Sequence, residues 1–402
     1  MQSLLRWGIE NSTPQTQTQT QIQPKPLDPS IIDIILGKSD AERMKDALAI
    51  AVSVDKVDVD DRVNALDDLE MLVEQIDNAN NLEKLNMWEP LHGLLTPTTP
   101  TPDFERIRTH AIWVIGTAVQ NNPAAQDAYL KLNPIPLLTS FLAPPPKSTT
   151  SKETRSKAIY ALSGLLKHNA PALKQLDVQS VNGDGIEDGW DRLRQALQHA
   201  EITIRRKTVF LFNNLLTPNE AFTPSLSSQT QTQNLHTPDA LSHPQDPIHP
   251  NSHSAYLSHP NRASTSGPTF EAMQTHGIVR VLVDSLTGAD EGQVGGGVDA
   301  DLDLDFEEKG VTLLRTYLQL NGPLNQSQKD RIRRWIVRSA AAASTTTTSI
   351  TSAASAASGG ESGDFALSSG SGSSSGFENL AERWGMNVTE LEELVKMVRV
   401  DG

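Results

Sequence analysis

Apolar and small residues recur between positions 62 and 216 at one fixed set of offsets. Counted from Arg62, Arg108, Arg155 and Arg205, positions +3, +4, +7 and +11 read Ala65, Leu66, Leu69, Val73; Ala111, Ile112, Ile115, Val119; Ala158, Ile159, Leu162, Leu166; and Thr208, Val209, Phe212, Leu216. At about 100° per residue these offsets fall on one helix face, so each stretch predicts an amphipathic helix with a single buried stripe. Successive anchors are 46, 47 and 50 residues apart. Self-similarity at that period marks stacked units of two or three helices, none of which can bury its apolar face alone.

Shorter apolar segments separate the four copies and predict their partner helices: WEPLHGLL (88–95), NPIPLLTSFL (133–142), GWDRLRQALQ (189–198) and HGIVRVLVDSL (276–286). Asn122, Asn169 and Asn219 stand 14 residues after their anchors, where an Asn in left-handed geometry is expected to end a helix. A fifth, degenerate copy has Glu307 in the anchor place, followed by Gly310, Val311, Leu314 and Leu318, and is closed by Asn321, Gly322 and Pro323. Upstream, Ser39 precedes AERMKDALAIAV, a predicted N-terminal capping helix with Met44, Ala47, Leu48 and Ala51 on one face. A short helix is expected from Asp28 to Gly37, with Pro29 at its first position.

The predicted fold class is all-α, an armadillo/HEAT-like solenoid of helical repeats. Its expected divisions are a flexible N-terminal segment (1–27), armadillo-like repeats (28–222), a disordered Ser, Thr, Gln, His and Pro-rich insert (223–269), C-terminal helical repeats with a Gly/Asp-rich loop (270–340), a Ser/Thr/Ala/Gly linker (341–376) and a C-terminal helix (377–402). Such arrays expose a long concave surface, so binding is the function to seek before chemistry.

Composition narrows the partners. Of 402 residues 37% are hydrophobic and 5% aromatic, which leaves a good part of the length outside packed structure. Lys and Arg total 34 against 49 acidic residues, a net charge of −15 that disfavours nucleic acid and anionic membrane. The absence of cysteine excludes a disulfide framework, a thiol nucleophile and a cysteine zinc site, and suits a reducing compartment. No apolar run approaches the roughly 20 residues that span a bilayer, and MQSLLRWGIE lacks the basic and apolar regions of a secretory signal. A cytoplasmic monomer without metal or cofactor is expected.

Several groups of residues are candidates for function. Each anchor arginine (Arg62, Arg108, Arg155, Arg205) can pack its stem in the stripe while its head reaches carbonyls of the preceding repeat, a structural ladder. Opposite the stripe, at +2, lie Asn64, His110, Lys157 and Lys207. With Arg206 they form either a basic strip for an acidic partner patch or an ordinary solvated face. Asp77, Asn78, Ala79, Asn80 and Asn81 interrupt two amphipathic stretches ahead of Trp88 and Glu89. A tight turn needs only one or two such residues, so five in a row read as a contact edge. Leu4, Leu5, Trp7 and Ile9 make a short apolar motif beside a Thr/Gln-rich tether: a peptide-like ligand, or a staple on the first repeat.

MQSLLRWGIENS, MLVEQIDNANNLEKLNMWEPL and AIWVIGTAVQNNPAAQ together resemble the armadillo-type nucleotide exchange factors of 70-kDa heat-shock chaperones, the cytosolic fungal members above all. The resemblance extends through KAIYALSGLLKHN and RRKTVFLFNNLL, weakens over the inserts, and resumes at EEKGVTLLRTYL and LAERWGMNVTELEELV. It implies a concave face that grips one lobe of the chaperone ATPase domain and releases ADP. It also implies an N-terminal segment that competes with clients for the chaperone's peptide groove. Asn64, Asp77 to Asn81, Trp88, Glu89, His110, Lys157, Arg206 and Lys207 are then the candidate chaperone contacts, and Leu4, Leu5, Trp7 and Ile9 the client-mimicking segment. No catalytic residue is called for.

The alternative is an armadillo scaffold or peptide-binding transport adaptor. Adaptors of that kind use a repeated Trp and Asn pair on the inner helices, whereas Trp113 stands alone in its helix. Chemistry finds little support. His236, His243, His249, His253 and His259 lie irregularly in the Pro-rich insert, and the Asp299 to Asp305 run has Leu304 and Gly310 where a calcium loop needs Gly and Glu.

Overall fold

The computed structural model describes residues 37–54, 57–96, 103–144, 150–182, 185–218, 260–288, 303–348 and 373–399. The Leu4 to Ile9 motif, the expected Asp28 to Gly37 helix except Gly37 itself, Asn219 and most of the insert lie outside them.

Two helices open the described chain, α1 (Asp40–Val52) and α2 (Val59–Val73). Ser39 starts α1 in a capping box with Glu42, and the Asp58 side chain caps α2. Three-helix units follow: α3 (Ile76–Lys84), α4 (Trp88–Gly93) and α5 (Phe104–Val119); α6 (Pro123–Leu130), α7 (Pro134–Ser140) and α8 (Lys152–Leu166); α9 (Ala170–Leu173), α10 (Gly189–Ala196) and α11 (Ile202–Leu216). After the short α12 (Pro260–Ala263), a further unit comprises α13 (Ser266–Thr275), α14 (Ile278–Thr287) and α15 (Leu304–Gln319). The chain closes with α16 (Gln326–Thr348), α17 (Ser373–Arg383) and α18 (Val388–Met397).

The long third helices form a ladder in which α2 packs on α5, α5 on α8, α8 on α11 and α11 on α15. Every stripe residue of the four arginine-anchored copies is buried, as are Gly310, Val311, Leu314 and Leu318 of the fifth. Close approach of α5 and α8 depends on Gly116, where an added Cβ would stand 2.6 Å from the Tyr160 ring.

The joints differ from expectation in chemistry, though not in place. Asn121 (φ 48°) and His168 (φ 53°) are the left-handed residues that end α5 and α8. Asn122 and Asn169 instead start the next helices, their side chains accepting from the Ala125 and Ala172 amides, with Pro123 and Pro171 in the first turns.

Three boundaries also move. A two-stranded antiparallel hairpin, β1 (Ser180–Asn182) with β2 (Gly185–Glu187), is the departure from an all-α chain among the described residues. The expected disordered insert ends before Thr269. Thr265 and Ser266 donate to the terminal carbonyls of α11, Leu215 O and Leu216 O, and this joins α13 directly to the end of the ladder helix. Helix α16 runs to Thr348 and α17 begins at Ser373, inside the span read as linker, and the single C-terminal helix is a helix pair turning at Gly385 (φ 62°).

Candidate partner-binding face

Opposite the buried stripe, positions +2, +5 and +9 of each ladder helix share a face. At +5 the residues are Asp67, Trp113, Tyr160 and Phe210, so three consecutive repeats present an aromatic ring. Phe210 is 49% exposed and Met71, at +9 of the first copy, 59%. Trp113 and Tyr160 are half-buried.

Polar groups surround Trp113 and Tyr160. The Lys157 ammonium lies 3.3 Å from the Trp113 ring centroid, a cation–π contact bridging α5 and α8. Thr117 Oγ1 donates to Glu70 Oε1 at 2.6 Å and stands 3.3 Å from the Tyr160 hydroxyl, while Gln120 Nε2 donates to Tyr160 O. His110 Nδ1 donates to Arg106 O, which leaves Nε2 facing Asp67 Oδ1 at 3.5 Å. Lys207 Nζ donates to Ser156 Oγ at 2.6 Å. Burial lowers the Lys157 ammonium from its ordinary value and the Lys207 charge adds to this, against Glu70 and Asp67; burial lowers Lys207 as well.

The +2 strip is therefore mixed in sign. Asn64 is exposed, His110 faces a carboxylate, and only Lys157 and Lys207 offer positive charge. Arg206 does not join them, because its guanidinium is paired with Asp303, at 2.7 Å through Nε, and with Asp305. That partner lies 97 residues along the chain.

The Asp77 to Asn81 string is corrected more sharply. These residues form the body of α3, not a break between helices. Asn78 Nδ2 donates to Asp40 Oδ2 and Leu72 O, tying α3 to α1 and α2, and Ala79 is 1% exposed. A bulky charge at Ala79 would damage the core before it tested an interface. Trp88 is likewise interior, stacked on Tyr129 with centroids 4.8 Å apart, and Tyr129 OH lies 2.9 Å from His92 Nδ1. Burial drives the Tyr129 phenol well above its ordinary range. Asp77 and Glu89 are exposed and Asn80 and Asn81 half-buried.

The anchor arginines stitch successive elements. Arg62 Nε donates to Ala51 O (2.8 Å), Arg108 Nε to Leu95 O (2.9 Å) and Arg155 Nη2 to Ala143 O (3.0 Å), each carbonyl lying 11 to 13 residues back. Arg205 instead lies 5.2 Å from the Phe306 ring centroid. Burial lowers Arg62, Arg155 and Arg205 below the usual guanidinium value.

One convergence was not visible in the sequence: Asp188, Asp191 and His276 bring their ligand atoms within 4.8 Å of one another. Asp188 accepts from the Asp191 amide as the cap of α10, and His276 Nδ1 is 3.4 Å from Asp191 Oδ1. The trio pins the end of α13 to the start of α10.

Stacked three-helix units with a face of half-buried and exposed aromatic and polar side chains define an armadillo-type binding protein. The profile described as "Nucleotide exchange factor Fes1" matches residues 1–82. The Hsp70 nucleotide exchange factor FES1 of Mycosarcoma maydis is 36% identical over 351 residues, spanning 79% of this chain and 82% of that protein. Its namesake in Cryptococcus neoformans is 31% identical over 305 residues, spanning 75% and 69%. The chain belongs to the Fes1 nucleotide exchange factor family. Among solved structures, a designed armadillo repeat protein aligns with a TM-score of 0.45 at 11% identity, covering 90% of this chain and 100% of that one. Among the described residues, no helix is long and apolar enough to cross a membrane.

Proposed function

We propose that this chain is a nucleotide exchange factor for a 70-kDa heat-shock chaperone, binding the chaperone's ATPase domain with the ladder face and promoting ADP release. One observation carries the reading: in a chain of this family, Trp113, Tyr160 and Phe210 align on consecutive repeats beside Lys157 and Lys207. Aromatics that a partner covers, ringed by polar groups, are the usual source of interface energy. Asn64, His110, Lys157 and Lys207 remain candidate contacts at the margins of that row. Along α3 and α4 only Asp77 and Glu89, which are exposed, and Asn80 and Asn81, which are half-buried, are retained.

Exchange of this kind needs no catalytic side chain. The factor binds the low-affinity form of the chaperone better than the high-affinity form and so shifts its population. Reciprocity fixes the sign: if the factor weakens nucleotide binding, nucleotide weakens the factor by the same free energy. Residues 1–27, with Leu4, Leu5, Trp7 and Ile9, are assigned to client release by competition for the peptide groove, and the setting to the cytoplasm.

A chaperone ATPase domain preloaded with fluorescent ADP tests this directly. Addition of the protein is expected to accelerate release, and no acceleration at saturating concentration would sink the proposal. Trp113→Ala should weaken the complex by about 2 kcal/mol or more while shifting stability far less. Unchanged affinity would remove the aromatic row from the interface. Deleting residues 1–26 should spare ADP release and slow client release; equal client-release rates would dismiss the competing segment.

A further inference from the structure

A cleft of about 370 Å³ lies away from the aromatic row, where the end of α7, the start of α8, the end of α10 and the α10–α11 turn meet. Its walls include Lys152, Arg155, Gln198, His199 and Glu201. Arg155 is 5% exposed, and its Nη2 is committed to Ala143 O, but its Nε is buried without an acceptor. Glu105, the carboxylate that acts on Arg155, is itself taken up by Arg108 Nη1 and the Ser151 amide. Arg205, whose charge also acts on His199, likewise has a buried Nε with no acceptor.

His199 adds a directed donor. Its Nδ1 accepts from the Glu201 amide at 3.0 Å, so the proton of the neutral ring resides on Nε2. Burial holds this imidazole below its ordinary value; the Arg155 charge and then Arg205 deepen the effect, and Glu201 opposes it. Lys152, the exposed first residue of α8, makes no ion pair among the described residues. Glu201 is the one carboxylate of the wall, and it is exposed. The cleft sets three nitrogen donors against one carboxylate, on a wall that is otherwise largely apolar.

We propose that this cleft binds a tetrahedral oxyanion of the phosphate class, with Arg155 and His199 donating from the wall and Lys152 closing on it from α8. The guanidinium and the ammonium come from the first turn of α8 and the imidazole N–H from the α10–α11 turn, so donors reach the cleft from two elements. That suits an anion with acceptors in several directions better than a planar carboxylate. The volume exceeds a single phosphate group, leaving room for whatever carries it: a phosphorylated side chain or a small free polyphosphate. The site is separate from the ladder face, so its test does not depend on the exchange reaction.

The full-length protein is titrated calorimetrically at constant ionic strength with inorganic phosphate, with pyrophosphate, and with an alanine-flanked phosphoserine peptide and its unphosphorylated twin. Saturable binding of the phosphate species, and not of the twin, is expected. Tighter binding of the peptide than of pyrophosphate identifies a protein-borne phosphate, and the reverse order a free one; both support the site. Lys152→Glu and His199→Ala should each weaken binding roughly tenfold or more. An acid at the first turn of α8 favours the helix. Hence Lys152→Glu should not lower the thermal midpoint measured without phosphate. No saturable binding of any phosphate species, or equal affinity in wild type and Lys152→Glu, would overturn the proposal.

Discussion

One place in the repeat carries opposite charges at the two ends of the ladder. In the first three copies it holds an arginine that reaches back to a carbonyl of the element before it: Ala51, Leu95 and Ala143. In the last it holds Glu307, fully buried, which accepts from Arg383 Nη2 at 2.5 Å and Trp384 Nε1 at 2.9 Å, donors that come from later in the chain. These three repeats take their partner from the unit already laid down, whereas Arg205 faces Phe306 of the next. Among the described residues no arginine-anchored helix follows α15, and its anchor turns to receive the segment at the end of α17. Trp384 also stacks on Trp335 at 4.8 Å, and Arg315 pairs with Glu390, so α17 and α18 cover the end of the array through one buried carboxylate and two indoles.

Breaking the terminal anchor should have the largest effect. Glu307→Ala leaves the buried Trp384 indole N–H and the half-buried Arg383 guanidinium without their acceptor, an expected loss of about 3 kcal/mol. Hydrogen exchange should show α17 and α18 opening while α2, α5 and α8 keep their protection. Equal loosening of both ends would erase the contrast between them.

The internal anchors should matter less, because each loses one bond to a carbonyl. Arg62→Ala and Arg155→Ala are expected to cost about 1–3 kcal/mol in urea unfolding. Arg108→Ala should fall at or below the bottom of that range, since Arg108 is half-buried and its Glu105 pair sits near solvent. If Arg108→Ala matched Arg155→Ala, burial would not be what ranks the anchors.

How much of this could be read from the chain follows the range of each interaction. The stripe and the arginine period were legible because helix periodicity is local, and every stripe position is indeed buried. Partners far along the sequence were not: Arg206 meets Asp303 across 97 residues, and Glu307 meets Arg383 and Trp384 across 76 and 77. Trp113, Tyr160 and Phe210 each look isolated in their own helix and become a row only when repeats are stacked in register. Composition misled twice. The polar string Asp77 to Asn81 concealed a helix whose Asn78 bonds inward, and the Ser, Thr and Pro content of residues 260–269 concealed the start of α13. Asn122 and Asn169 stand in the joints as their spacing predicts but cap the following helices, since the same side chain suits a left-handed end and an N-cap.

The smallest expected effect lies on the exposed face of the internal ladder, and its sign is fixed by the geometry. Burial and Lys207 lower Lys157 in the folded protein, while the unfolded chain keeps an ordinary lysine. Between the lowered value and the ordinary one near 10.5 the unfolded state binds more protons, so folding stability gains as pH rises through that window. Below the window the charged ammonium carries its desolvation cost in full. The Trp113 ring and the Glu70 and Asp67 carboxylates offset part of that cost. Lys157→Met keeps the stem and removes the charge, and it should flatten the alkaline rise of stability. Lys309 occupies the same +2 place at the terminal repeat and is ion-paired with Asp305, a partner Lys157 lacks. Urea midpoints across the alkaline range, measured for wild type and Lys157→Met, decide the point: parallel curves would mean that the ammonium over Trp113 is as well solvated folded as unfolded.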